Sequence, residues 1–418
     1  MTDDTQQVST RRPLDRSDER VKHADTAGSV IGAFVDRVRS GDLGSLPVVV
    51  GLVVICTVFE SLNPVFLAPD NLVNLLFDCS TVGVIALGIV CILMVGEIDL
   101  SVGSVSGFSS ALVGVLWVGQ DWPVAVAIVT ALLLGAAIGA LYAFLFNRLG
   151  MPSFVSTLAG LLAWLGLQLY LLGSSGSINL PYGSPLVNFG QMLVMPPIVS
   201  YALAAVASLI VFATDYRTAA RRRAAGLSAS SLGRMVLKAL LVTIVLEFVV
   251  YYLNLGRGIP WMFGLFVGLC VVMNYALTRT KWGRSMSAVG GNREAARRAG
   301  INVRRVYASA FMLCATLAAA GGILAAARLA SSSQQAGTGD VNLNAIAAAV
   351  IGGTSLFGGR GSAYSALLGV IVIQSIASGL TLLDLSSSLR YMITGAVLAI
   401  AVIVDSLARR SRLSHGRA

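Results

Sequence analysis

Runs of about twenty apolar residues recur along this chain from residue 46 to residue 407, each separated from the next by a short polar link. Inside hydrocarbon there is no water to pair with the backbone, so each run must satisfy its own N–H and C=O groups, which a helix does within itself. About twenty residues at 1.5 Å rise match the roughly 30 Å hydrocarbon core of a bilayer. The composition agrees, with 56% of the 418 residues hydrophobic and 12% charged, against roughly a quarter charged in a soluble domain. The expected fold class is all-α, a polytopic transmembrane helical bundle.

Apolar windows place spans near 46–66, 76–96, 102–118, 123–146, 154–173, 191–213, 235–255, 259–278, 306–329, 343–359, 363–383 and 389–407. With the Arg-rich links assigned to the cytoplasm, this gives about 12 spans (10–12) and both termini cytoplasmic. Segment 343–359 decides the parity: a mere dip into the membrane would put the basic C-terminal tail outside, so a full crossing is preferred. Residues 1–45, with seven basic and eight acidic side chains, read as a polar, disordered cytoplasmic tail rather than a cleavable signal. Residues 46–407 form the transmembrane domain and 408–418 a basic cytoplasmic tail.

A net charge of +10 would suggest nucleic acid as the partner of a soluble chain. Here the cations cluster in links, including 214–234 and 279–305, as membrane topology requires, so the surrounding partner is lipid and no nucleic acid is expected. The only histidines, His23 and His415, lie in the tails, which removes the usual general base and metal ligand from the spans. Five cysteines lie in or at the edges of apolar runs without C-x-x-C spacing, and read as unpaired thiols. No catalytic residue and no metal site is expected. No lysine follows a glycine, so the phosphate-cradling G-x-x-x-x-G-K-[ST] loop is missing. The chain needs no cofactor of its own, and any ATP and Mg used would be bound by another polypeptide.

Three polar or glycine-rich segments interrupt the apolar pattern. In "KWGRSMSAVGGNREAARRAGINVRR" (281–305), Glu294, Ala295 and Ala296 followed by Gly300 predict a short helix, a turn at positive φ and a second helical stretch, with Arg297 and Arg298 on the helix surface. Composition alone leaves this as a solvated loop. "GEIDLSVGS" (96–104) puts Glu97 and Asp99 where two apolar runs meet. It reads either as a turn in which Asp99 or Ser101 caps the next helix, or as a helix break along a polar path that also takes in Ser104. "IGGTSLFGGRG" (351–361) holds Gly352, Gly353, Gly358, Gly359 and Gly361, too many for an unbroken helix, and predicts a bend or re-entrant turn. Glu247 is the acid best placed at mid-span.

E-A-A followed by glycine four residues later resembles the coupling loop of ABC importer permeases. "SAVGGNREAARRAGINVRR" is similar to that loop in the sugar-permease branch related to ribose and xylose transporters. "FLAPDNLVNLLFDCSTVGVIALGIVCILMVGEIDLSVGSVSG" (66–107) and "LNAIAAAVIGGTSLFGGRGSAYSALLGVIVIQSIASGL" (343–380) resemble the same branch, in the same order. The resemblance implies a non-enzymatic permease that carries a monosaccharide across the cytoplasmic membrane as a homodimer. Its partners would be a cytoplasmic ABC ATPase and an extracytoplasmic sugar-binding protein. Glu294, Ala295, Ala296 and Gly300 would dock into the ATPase, with Arg293 and Arg297 pairing to it. Glu97, Asp99, Ser101, Ser104, Gly352, Gly353, Gly358 and Gly359 would belong to the translocation path or its helix breaks. Residues 214–258 look like the insertion found in xylose-type permeases. The competing reading is a secondary transporter or facilitator acting alone, which would want more membrane-embedded ionisable groups than Glu247.

Overall fold

The computed structural model describes residues 46–386 and 388–396, with Ala399 and Ile403. The tails expected at 1–45 and 408–418 lie outside the described residues, as does much of the span expected at 389–407. Contacts divide the chain into two compact units, one of Gly44–Met195 with Gly256–Ala408 and another containing Pro196–Leu255.

The larger unit begins with α1 (Leu46–Leu62), α2 (Pro69–Met94), α3 (Val102–Gly114), α4 (Val124–Leu149) and α5 (Ser153–Leu172). Strand β1 (Ser177–Asn179) and α6 (Pro185–Gln191) follow. The smaller unit is a hairpin of α7 (Pro197–Ala224) and α8 (Leu232–Asn254). The larger unit then resumes with α9 (Trp261–Arg279), α10 (Lys281–Gly291), α11 (Arg293–Arg298) and α12 (Val303–Leu329). It continues through β2 (Ser331–Ser333), α13 (Val341–Ile351) and α14 (Ala363–Leu382).

Among the described residues, nine helices are long and apolar enough to cross a bilayer. The full crossing expected at 343–359 does not form. Helix α13 has 11 residues, about 16 Å of rise and half the hydrocarbon thickness, because the glycines that follow end it. The basic segment expected as a loop over 214–234 is instead helical to Ala224, with its turn confined to 225–231. Ser231 opens α8 by accepting a hydrogen bond from the Arg234 N–H.

Helix α12 is central to the larger unit, packing against α2, α3 and α4. Its small residues let backbones approach: a Cβ at Gly139 of α4 would strike the main chain of Phe311 and Met312, and one at Gly322 the carbonyl of Ser106 in α3. Close contact of this kind replaces the hydrophobic drive that lipid does not provide between helices. After α12 the chain turns extended. β2 pairs antiparallel with β1, Ile178 opposite Ser332, and the segment runs on beside α3, where the Ser332 hydroxyl donates to the Ser110 carbonyl at 2.7 Å. The Gln168 side-chain amide of α5 donates to the carbonyls of Ser333, Gln334 and Ala336 at 2.9–3.3 Å.

The points where the larger unit is interrupted by the hairpin lie side by side. Met195 N–H donates to the Ile259 carbonyl at 2.7 Å and Trp261 N–H to the Leu193 carbonyl at 3.1 Å, an antiparallel bridge that joins the two flanks directly.

Candidate functional site

The segment between α9 and α12 is shaped by successive caps. The Thr280 hydroxyl accepts from Gly283 N–H at 3.2 Å to open α10, and Asn292 Oδ1 accepts from Ala295 N–H at 2.9 Å to open α11. Gly300, at φ +82°, reverses the chain where a Cβ would be strained. Asn302 Oδ1 then accepts from Arg305 N–H at 3.1 Å to open α12. Side chains thus take up N–H groups that helix starts leave unpaired, and the polar run folds as two short helices rather than a loop.

Helix α11 has two faces. Ala296, 4% exposed, packs on the chain itself, so of the two alanines only Ala295 faces outward with Glu294, Arg297 and Arg298. Glu294 accepts from Arg297 at 2.8 Å and Arg298 at 3.3 Å. These are exposed pairs worth about 0–1 kcal/mol, weak enough to be exchanged for another partner. Arg293 turns the other way. Its guanidinium lies 5.5 Å from the Tyr307 ring centre and 5.9 Å from that of Phe146, on α12 and α4 respectively, and it interacts electrostatically with Glu97. Partial burial raises the Glu97 carboxyl above its usual range, opposed by a hydrogen bond from Ser153 and by the Arg293 charge. One arginine therefore connects α11 to α4, α12 and the turn between α2 and α3.

That turn, residues 95–101, is non-helical and enters the bundle. Gly96 takes φ +83°. Asp99 is 0% exposed, and its Oδ1 accepts from the Ser101 N–H at 2.8 Å and hydroxyl at 2.7 Å. Tyr142 donates to the Ser101 hydroxyl at 2.7 Å, and the Trp164 indole to Tyr142 at 2.6 Å. Ser104 donates back to the Ser101 carbonyl. Neither Asp99 nor Ser101 caps α3; Asp99 closes an Asx turn around itself instead. Asp99 Oδ2 has no partner of hydrogen-bond geometry, with only the Cys314 thiol acting on it as a weak donor. Desolvation is the largest influence on the Asp99 carboxyl and raises its pKa against the lowering effect of the Ser101 bonds.

The glycine segment meets the same turn. Gly359 N–H donates to the Met94 carbonyl at 2.9 Å. A Cβ on Gly290 of α10 would strike the Met94 carbonyl, and one on Gly358 would sit 2.8 Å from the Gly290 carbonyl and 2.9 Å from Gly96 Cα. Three backbones, from the end of α2, the end of α10 and the 352–362 loop, touch without intervening side chains. Gly358 and Gly359 have φ +82° and +76°. Gly352 abuts the Ser365 carbonyl of α14, while Gly353, at φ +106°, has nothing near its missing side chain. The structure thus brings Arg293, Glu97, Gly358 and Gly359 to one junction, with Asp99, Ser101 and Ser104 in the turn that leads from it. Glu294, Ala295, Arg297 and Gly300 remain on the exposed side.

A second charged cluster escaped sequence reasoning. Arg328, near the end of α12, contacts Asp78 at 2.8 Å and Asn74 at 3.3 Å, lies 5.1 Å from the Phe77 ring centre, and is joined on Asn74 by Arg257 at 2.6 Å. The available signal was an Asn–Asp pair at i and i+4 on an otherwise apolar helix. Glu247, singled out at mid-span, is half-buried on α8.

Residues 71–402 match a family model described as "branched-chain amino acid transport system / permease component". The xylose transport system permease protein of Escherichia coli K12 is 33% identical over 345 residues, 82% of this chain and 87% of that protein. The same-named protein of Haemophilus influenzae is 31% identical over 88% of this chain and 98% of its own. The ribose import permease protein of Escherichia coli K12 is 29% identical over 85% and 92%. No solved structure matches the chain significantly. With four-fifths of its length aligned and nine bilayer-length helices, the chain belongs to this family of transport-system permease components.

Proposed function

We propose that the chain is the membrane subunit of an importer of D-xylose or a related pentose in the bacterial inner membrane, working as a dimer with a second copy of itself. A separate cytoplasmic ATPase supplies the energy and an extracytoplasmic binding protein delivers the sugar. The family and its xylose and ribose relatives support the transport role. Basic links on one side, α10–α11 among them, support a cytoplasmic position for that end and for both termini.

The observation that carries the mechanism is the orientation of α11. Its outer face, Glu294, Ala295 and Arg297, is free to meet the ATPase, and the turn at Gly300 keeps it projecting. Its inner face holds Arg293 against Phe146, Tyr307 and Glu97. Displacement of α11 by nucleotide-driven closure of the ATPase then reaches the 95–101 turn through Arg293, and the 352–362 loop through the bare backbone contact of α10. The glycines and the Asp99–Ser101 turn act as the joint at which α2, α3 and α13 change their relation. Chemistry on the sugar plays no part.

The test is labelled xylose uptake by proteoliposomes, with the ATPase and binding protein added or withheld, in wild type and Glu294→Arg. Uptake that needs both partners and ATP, and is lost in a folded Glu294→Arg protein, supports the proposal. Uptake by the chain alone, indifferent to the substitution, makes it a facilitator and removes α11 from the mechanism.

A further inference from the structure

Within the hairpin, α7 and α8 enclose an open groove of about 380 Å³ lined by Leu209 and Phe212 on one helix and Val236, Ala239 and Leu240 on the other. Its two hydroxyl groups are turned away: Ser208 donates to the Ala204 carbonyl at 3.1 Å and Thr243 to the Ala239 carbonyl at 2.9 Å. What the groove presents is hydrocarbon. At one end the Phe212 ring stacks on Tyr216, centroids 6.1 Å apart, and Lys238 pairs with Asp215 across the two helices at 2.7 Å.

Beyond that pair lie Arg217, Arg221, Arg222, Arg223 and Arg234, all exposed. Residues 215–238 carry six cations and one acid, a net +5 that is half the chain's net charge of +10. At 1.5 Å per residue, Arg217 stands about 8 Å and Arg221 about 14 Å past Phe212 along α7. The other half of the hairpin holds Glu247 as its sole charge. An apolar cleft thus runs into a cationic end over the distance that separates an acyl chain from its phosphate.

We propose that this groove and its basic end bind an anionic phospholipid of the surrounding leaflet. An acyl chain lies between Leu209 and Leu240, the phosphate meets Arg217 and Lys238, and the arginines beyond take further headgroup charge. Guanidinium forks match phosphate oxygens, and a cationic cluster beside an apolar helix is drawn to anionic lipid. An acidic protein surface would use the arginines but not the hydrocarbon groove. A neutral lipid would use the groove but not the arginines. One ligand class uses both.

The full-length protein in neutral detergent, titrated with phosphatidylglycerol or phosphatidylcholine and followed by native mass spectrometry, tests this. Phosphatidylglycerol is expected to bind at least tenfold more tightly than phosphatidylcholine. The Arg217→Gln, Arg221→Gln, Arg223→Gln triple variant should lose that preference, and Ala239→Phe should lose the bound lipid with every cation intact. Ala205→Phe fills the same groove from α7 and guards against misfolding of the first groove variant. Equal binding of the two lipids, or undiminished phosphatidylglycerol binding in both groove-filling variants, would overturn the proposal. So would an unchanged lipid preference in a triple variant whose binding to the partner ATPase is weakened, which would assign the arginines to a protein contact.

Discussion

Arg293 shows how little of a side chain's role is written in its neighbours along the chain. The E-A-A…G pattern marks α11 as a segment of interest, and Asn292 and Gly300 flank it as caps should. Yet the sequence cannot say that Arg293 faces inward onto Phe146 and Tyr307 while Arg297 and Arg298 face out, because that follows from how α10 sets the roll of α11 on α12. Arg293→Ala removes two cation–π contacts of about 0.5–1 kcal/mol each, a modest change in stability. Uptake per ATP hydrolysed is expected to fall at least fivefold, the low end of a typical coupling free energy of about 1–3 kcal/mol; hydrolysis and uptake measured together on the reconstituted complex check this, and a parallel loss of both would mean misassembly. Asp99 offers a pH prediction. Its folded pKa lies above the ordinary value of about 3.9, so the native state keeps a proton that the unfolded chain releases. Stability therefore falls as pH rises from the ordinary value through the folded one, and Asp99→Asn should flatten that fall in detergent melting curves taken between about pH 4 and 7.

At the scale of elements, hydropathy located the long helices well, because twenty apolar residues have few alternatives in a membrane. It failed where local sequence is apolar but geometry is not regular. Segment 343–359 reads as a span, and forms eleven helical residues followed by a glycine loop whose contacts with Met94 and Gly290 are invisible in composition. The α7–α8 hairpin was legible as two spans, but its standing as a separable unit rests on the bridge between Leu193–Met195 and Ile259–Trp261. With those flanks already hydrogen-bonded, replacing residues 196–258 by a two-residue glycine turn, the connection an antiparallel pair most readily accepts, should leave the larger unit inserted and cooperatively melting. Purified yield and a melting curve decide it. A truncated protein that fails to insert would show the hairpin to be integral to folding.

For the whole molecule, the sequence's few charges are its most economical information, since nearly all of them mark a link, a cap or a contact. What it hides is the arrangement of polar groups that meet only in three dimensions: Ser101 with Tyr142 and Trp164, Arg328 with Asp78, Gln168 with the strand-like segment after α12. The last of these bears on how the protein is made. Ser333 follows its partner Gln168 by 165 residues and Ser332 follows Ser110 by 222, so the extended segment enters the membrane long after the groove that receives it. A helix arrives with its backbone already paired; this segment does not, and its carbonyls would be bare in lipid until Gln168 reaches them. Gln168→Leu is therefore expected to cut the yield of inserted protein more deeply than the specific activity of the fraction that matures, which pulse-chase labelling with protease protection, alongside uptake per inserted molecule, measures directly. The order of synthesis is then itself a folding constraint: the first five helices form a mould, and the polypeptide between α12 and α13 is cast into it.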